Sequence, residues 1–288
     1  MTGIFEYIVL MLLVSVVAGL VGALVGVGGG ILVVPALTLL FGVPIQYAIG
    51  ASIVSVIATS SGSASAYVRD HITNLRIGMF LEVGSTVGAI VGAITSIALV
   101  RSGYSWAVFL TFGLLLMVSA YSSAVRIRDE RRKGFEIINR TPNRISERLR
   151  LSGEYYDSAT KRSVEYIADS VPPAFGVMFS AGVLSALLGV GGGILKVVGL
   201  DSFMKLPFKV STTTSNFMIG VTAAASTTIY YIGGFVNPVL AAPVAIGVVI
   251  GAYGGTKVLV RTKPGPLRWL FVAALIVIGF EMLRQGLP

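Results

Sequence analysis

Two pentapeptides carry the chemistry that is easiest to read in this chain. Gly26-Val27-Gly28-Gly29-Gly30 and Gly189-Val190-Gly191-Gly192-Gly193 each follow a run of apolar residues. Consecutive glycines end a helix, since each costs about 1 kcal/mol relative to alanine. In an apolar solvent the freed amides and carbonyls must be buried in protein or line a wet cavity. The segments that follow begin at Ile31 and Ile194, and the first amide hydrogens of such a segment are unpaired and partly positive. Glycine lets a ligand approach that backbone. The expectation is an anion site built from Gly28, Gly29, Gly30 and Ile31 together with Gly191, Gly192, Gly193 and Ile194, without a permanent charge. A dinucleotide site is excluded, because the G-x-G-x-x-G spacing fails at Ile31 and no ribose-binding acid is in view.

A second feature is a doubled hydroxyl stripe. Ser52, Thr59, Ser63 and Tyr67 share one helical face, and Ser215, Thr222, Ser226 and Tyr230 repeat it. Neutral hydroxyls facing a shared axis can solvate an oxyanion. Any one of them can equally bond its own backbone or hold two helices together. Asn74 and Asn237 follow the stripes at the same offset, as caps or as gates. Lys196 stands three residues after Gly193 and is the candidate cation facing a bound anion, or else an interfacial lysine. Glu82 reads either as carrier of a coupling proton or, preferentially, as an interfacial partner of Arg76.

The elements that must position these groups are membrane helices. Of 288 residues, 55% are hydrophobic and 12% charged, about half the charge of a soluble domain. Apolar segments run over 4–26, 47–68, 77–100, 104–125, 172–190, 210–232, 238–260 and 267–284, most of them long enough to span a bilayer. Pieces 31–41 and 194–204 are half that length. The fold class is therefore an all-α polytopic membrane protein with about eight transmembrane helices and two short broken or re-entrant ones. The apolar start carries Glu6 and no basic region, and reads as a retained first helix rather than a signal peptide.

The chain is duplicated. A shift of 163 residues superposes 23–92 on 186–255 without a gap, aligning Pro44 with Pro207 and Gly84, Gly88 and Gly92 with Gly247, Gly251 and Gly255. The spaced glycines suit close helix packing. Residues 1–126 form a first repeat and 172–288 a second. Between them, 127–171 is a charged segment expected to be partly helical and, from its arginine excess, cytoplasmic. If each glycine cluster closes a hairpin, the halves are inverted, and Arg69, His71, Arg76, Lys205, Lys209 and the 261–268 loop all fall on the cytoplasmic side. Parallel halves would put that last loop outside, so the basic residues favour inversion.

The net charge of +9 follows topology and points to no nucleic-acid partner. Absent cysteine and a single histidine exclude thiolate chemistry and make a histidine metal cluster implausible, and no cofactor is implied. Acid pairs and nucleophile dyads are not visible within the spans, so an enzyme is not expected. The partners expected are a small anionic substrate and the lipid bilayer, with a homo-oligomer left open.

With GLVGALVGVGGGILVVPALTLLFGVP, the polar helix ASIVSVIATSSGSASAY and the second GVGGG half, the chain resembles the sulfite exporter TauE/SafE family, also called DUF81 or toluene sulfonate uptake permease type. The resemblance covers both transmembrane halves. It implies a secondary transporter of sulfite, sulfonates or related organosulfur anions in a prokaryotic plasma membrane. The alternative is a passive anion channel using the same site. Val198 replaces the Pro35 of the first half and Lys196 replaces Val33, so the half-sites are not equivalent. The 127–171 segment is longer than the linker the family implies.

Overall fold

The computed structural model describes residues 2–25, 29–69, 72–132, 146, 148–149, 151–157, 162–261 and 265–287. Among them, each half is a long helix, a short helix and three long helices. The first half comprises α1 (Thr2–Val25), α2 (Gly30–Pro35), α3 (Ile45–Arg69), α4 (Leu75–Arg101) and α5 (Ser105–Arg132). The second comprises α6 (Val171–Leu188), α7 (Gly193–Val198), α8 (Phe208–Ile232), α9 (Pro238–Arg261) and α10 (Gly265–Gly286). Four apolar stretches, Ile45–Gly62, Leu75–Arg101, Ser105–Val125 and Val171–Leu188, are long and apolar enough to cross a membrane.

The short helices widen into π-helical turns at Ala36–Leu40 and Gly199–Phe203. Pro35 lacks an amide hydrogen and precedes the first turn, but Val198 precedes the second, so proline is not the common cause. Both turns close with the same bond. Val43 N donates to Leu37 O at 3.0 Å, and Leu206 N to Leu200 O at 3.1 Å.

Each short helix doubles back along the helix before it. Tyr7, near the start of α1, donates its hydroxyl to Phe41 O at 3.3 Å, just past the first π turn. In the second half Asp169 N, just before α6, donates to Met204 O at 3.1 Å. Gly189–Gly193 is thus the tip of a helical hairpin, and Gly29 and Gly30 open the returning arm of its counterpart in the first half. Gly189, Gly191 and Gly192 have φ of 72, 76 and 65°, the left-handed conformation that ends α6 and reverses the chain.

The halves interlock by exchanging partners. α1 packs along α9, and α6 packs along α4. A Cβ on Gly19 would lie 2.2 Å from Val248 O, and one on its counterpart Gly182 would lie 2.0 Å from Ser85 O. Gly88 and Gly92 meet Phe179 O and Val183 O in the same way, and Gly251 meets Val16 O. The spaced glycines are contact surfaces where backbones touch, as their spacing suggests. α3 crosses α8, and α5 runs antiparallel to α10, with Gly113 facing Leu283 and Gly286 facing Leu110.

The central segment, expected to be partly helical, also carries a β-pair that the sequence reading did not foresee. Helix α5 does run on to Arg132, but β1 (Ser152–Asp157) and β2 (Arg162–Ile167) form an antiparallel pair in which Tyr155 opposes Val164 and Gly153 opposes Tyr166. The cause is period-two patterning. Ser152, Glu154, Ser163 and Glu165 are exposed, while Tyr155, Val164 and Tyr166 turn inward. Leu151 and Ala168 at the ends of the pair join an apolar cluster with Ile77, Leu81, Met178 and Met204.

Candidate functional site

Gly30 of the first glycine cluster meets Gly189 of the second. A Cβ on Gly30 would lie 2.9 Å from Ser52 Oγ and 3.0 Å from Gly189 O. Ser52 Oγ donates to Gly189 O at 2.7 Å, with Gly30 O at 3.3 Å. On the other side Ser215 Oγ donates to Gly193 O at 3.2 Å. The stripe hydroxyls nearest the clusters therefore face carbonyls, not an open space. Glycine turns free carbonyls that a helix would have paired, and in an apolar interior a neighbouring helix must supply the donors.

A cavity opens beside this junction. It is lined by Ile31, Val190, Gly192, Gly193 and Leu195 from the hairpin tips and by Leu115 and Ser119 from α5. Ile31, Gly192 and Gly193 were expected from the sequence; Ser119 was not. Its signal, one of four serines in α5, is too weak to stand out.

Of the remaining expected groups, Gly29 is buried and its carbonyl accepts from Leu32 N at 3.1 Å and Val33 N at 3.2 Å. Gly191 packs its α-carbon face on Ile219 and Val56. Gly28 and the side chains of Ser63 and Ile194 lie outside the described residues. Thr59 donates back to Ser55 O and Val56 O within α3, and Ser226 to Thr222 O and Ala223 O within α8. Tyr230 donates to Ala186 O at 3.0 Å, tying α8 to α6.

Asn74 and Asn237 sit as caps. Asn74 Oδ1 accepts from Ile77 N at 3.0 Å at the head of α4, and Asn237 Oδ1 accepts from Val239 N at 2.9 Å at the head of α9. Asn74 does more than cap. Its backbone N donates to Thr214 Oγ1 at 3.1 Å, and its Nδ2 to the Tyr166 hydroxyl at 3.0 Å. That residue thus ties α4 to α8 and to the β-hairpin. Burial pushes the Tyr166 hydroxyl above its ordinary pKa, against a smaller opposing effect of the Asn74 bond.

The largest difference from expectation is at Glu82 and Lys196. Glu82 pairs across the halves with Lys196, not at the interface with Arg76. Lys196 is fully buried, and its Nζ lies 3.4 Å from Glu82 Oε2 and 3.1 Å from Met218 O. It also bonds Thr222 Oγ1, which in turn bonds Glu82 Oε1. Thr86 Oγ1 donates to Glu82 Oε1 at 3.2 Å, and Ser85 Oγ lies 3.0 Å from Thr222 Oγ1. Lys196 is therefore neither an interfacial lysine nor, in this conformation, a bare cation for an anion. Thr222 was expected to solvate substrate and instead bridges the ion pair.

The comparisons with known proteins agree with this architecture. The sequence profile described as "Sulfite exporter TauE/SafE" matches residues 11–282. The chain is 27% identical to "Probable membrane transporter protein YunE" of Bacillus subtilis (strain 168), over 97% of this chain and 98% of that one. It is 27% identical to "Probable membrane transporter protein YdhB" of the same organism, over 86% and 89% of the two chains. It is 25% identical to "Probable membrane transporter protein MJ0441" of Methanocaldococcus jannaschii, over 97% of each. No solved structure gives a significant match. A profile match spanning nearly every helix, on a bundle of apolar helices broken at paired glycine tips, places the chain in the sulfite exporter TauE/SafE family, a family of multi-pass membrane transporters.

Proposed function

We propose that this protein is a secondary transporter that moves a small sulfur-containing oxyanion, such as sulfite or a sulfonate, across the prokaryotic plasma membrane. The two halves act as inverted repeats and give alternating access to a site between the glycine tips. The observation that carries the reading is the junction itself: Gly30 and Gly189, 159 positions apart in the chain (189 − 30), converge on Ser52 beside a cavity lined by Ile31, Gly192, Gly193 and Ser119. Backbone breaks at such depth are tolerated where they are buried in protein or line a cavity, and transporters place their sites there.

Inversion is supported by the hairpins. Because α1 and α2 start and finish at one end, each half crosses three more times and leaves at the other end. One end then gathers Arg76, Lys205, Lys209 and the β-hairpin, and its basic residues make it the cytoplasmic end. Both termini lie on the other side.

Flux of labelled sulfite, methanesulfonate and an aryl sulfonate into proteoliposomes tests this reading. A carrier gives saturable flux that is stimulated by unlabelled anion on the far side. Single-channel current without such exchange would establish the channel instead, and no flux with any of these anions would overturn both. Since the chain lacks cysteine, single cysteines at Gly103 and Lys205 report sidedness, and inversion requires that they label from opposite faces.

A further inference from the structure

The fold carries an internal control for the Glu82–Lys196 pair. Under the 163-residue shift, Lys196, Glu82 and Thr222 correspond to Val33, Ala245 and Thr59. The mirrored place in the bundle is built by the same helices without any charge, so the architecture does not need the pair. An ion pair in an apolar interior is often no more stabilising than apolar residues of similar size. Charged side chains at such depth are expensive and mark function.

The surroundings indicate which function. Lys196 Nζ sits in a cradle of oxygens: a Glu82 carboxylate oxygen, the Met218 carbonyl and the Thr222 hydroxyl. Thr222 touches both charged partners and forms a continuous hydrogen-bonded path between ammonium and carboxylate. Gly193, three residues before Lys196 in α7, lines the cavity beside the glycine junction. The lysine therefore belongs to a helix whose first residue faces the proposed anion site, while its charge is held by a carboxylate of α4. A sulfonate or sulfite offers the ammonium the same oxygen chemistry that Glu82 offers.

On the transporter reading above, we propose that Glu82 and Lys196 form a proton-coupling site, in which a proton on Glu82 releases Lys196 to hold the transported anion. In the empty site the ammonium is balanced by the carboxylate. In the loaded site a proton has bound Glu82, and the ammonium is balanced by the substrate. Both states are neutral, no covalent bond other than the carboxyl O–H forms, and one proton moves with each monoanion. Neutrality in both states matters, because separating the pair without it would leave two lone charges in a low-dielectric interior.

On α4, α7 with its π turn, and α8, the other titratable side chains are Arg76 and Arg101 near the ends of α4, Lys209 in the first turn of α8, Tyr230 and Tyr231 in its last, and Asp201 in the π turn; α3 and α5, which also touch α4, carry Tyr47, Tyr67 and Arg69, and Tyr121 with the charged run from Arg126 to Arg132. Helix α6 carries none. None of them is among the hydrogen-bond or ion-pair partners of Glu82 and Lys196.

The test uses the full chain in proteoliposomes with sulfite and with methanesulfonate, whose charge does not vary with pH. Acidifying the outside by one unit should drive about tenfold accumulation at equilibrium for a one-to-one coupling. A potassium–valinomycin potential at matched pH should drive none. Glu82→Gln should lose pH-driven accumulation, because glutamine mimics the protonated acid and cannot release a proton, and the anion exchange that remains should no longer respond to the pH gradient. Lys196→Met should lose both. Flux driven by the potential and indifferent to the pH gradient would overturn the coupling while leaving the transporter reading intact. That wild-type measurement decides the matter even if a variant does not assemble. Absence of any flux would overturn the transporter reading and this one with it.

Discussion

Ser52 in α3 donates its hydroxyl to the backbone carbonyl of Gly189 at 2.7 Å, across 137 residues of sequence. This bond joins the tip of the second hairpin to the polar helix of the first half, with Gly30 O at 3.3 Å completing the junction. Removing it by Ser52→Ala leaves a buried carbonyl without its donor, which costs about 1–3 kcal/mol. Its counterpart Ser215 makes one longer bond, to Gly193 O at 3.2 Å. Thermal unfolding in detergent should therefore show a larger fall in Tm for Ser52→Ala than for Ser215→Ala.

Two small-residue contacts test the interlocking of the halves. A Cβ at Gly88 would lie 2.1 Å from Phe179 O and one at Gly251 would lie 1.9 Å from Val16 O. Since those neighbours are backbone, Gly88→Val and Gly251→Val should each destabilise by more than the usual 1–3 kcal/mol of overpacking. Loss of the monodisperse peak in size-exclusion chromatography would report it. Gly176→Ala, with nothing within 4 Å of the added carbon, should elute like the parent.

The buried pair has a stability signature separate from flux. Lys196→Met should strand the Glu82 charge and cost about 3–5 kcal/mol. Adding Glu82→Leu should recover most of it, because the mirrored position is already apolar. A thermal double-mutant cycle would measure the coupling, and additive effects would contradict the paired geometry.

The β-hairpin docks through the Tyr166 hydroxyl, which accepts from Asn74 Nδ2. Tyr166→Phe should loosen it by about 1 kcal/mol, seen as faster hydrogen exchange over 151–168. Burial raises the Tyr166 pKa above 10.0, so the docked state favours the neutral phenol. Docking should accordingly hold below pH about 10 and weaken as pH rises through the raised value, a loss that Tyr166→Phe should abolish.

Ser119 offers a direct reading of the cavity. Because Ser119 is buried in this conformation, Ser119→Cys in this cysteine-free chain should react with a small neutral maleimide only as the site opens during transport, and excess methanesulfonate should change that rate at least threefold. Unchanged rates would place the anion elsewhere.

The sequence determined the membrane helices, the duplication and the two breaks, because each is a local property. Among the described residues, eight long helices and two short ones lie within a few residues of the apolar segments read from composition. Glycine spacing foretold which faces touch, since small residues are needed wherever backbones meet. The β-pair at 152–167 was equally local, but its alternation is brief and lies in a charged segment that suggested helix. What only the tertiary structure decided is who meets whom. Ser52 reaches a carbonyl of the other half, and Lys196 finds Glu82 instead of solvent or a bare anion site. These pairings join positions more than 100 residues apart, and they arise from the crossing of α3, α4, α7 and α8 in the bundle. No periodicity within either segment encodes that crossing. It is set by burial of apolar faces across the whole bundle, which then obliges each enclosed polar group to take whatever partner lies beside it.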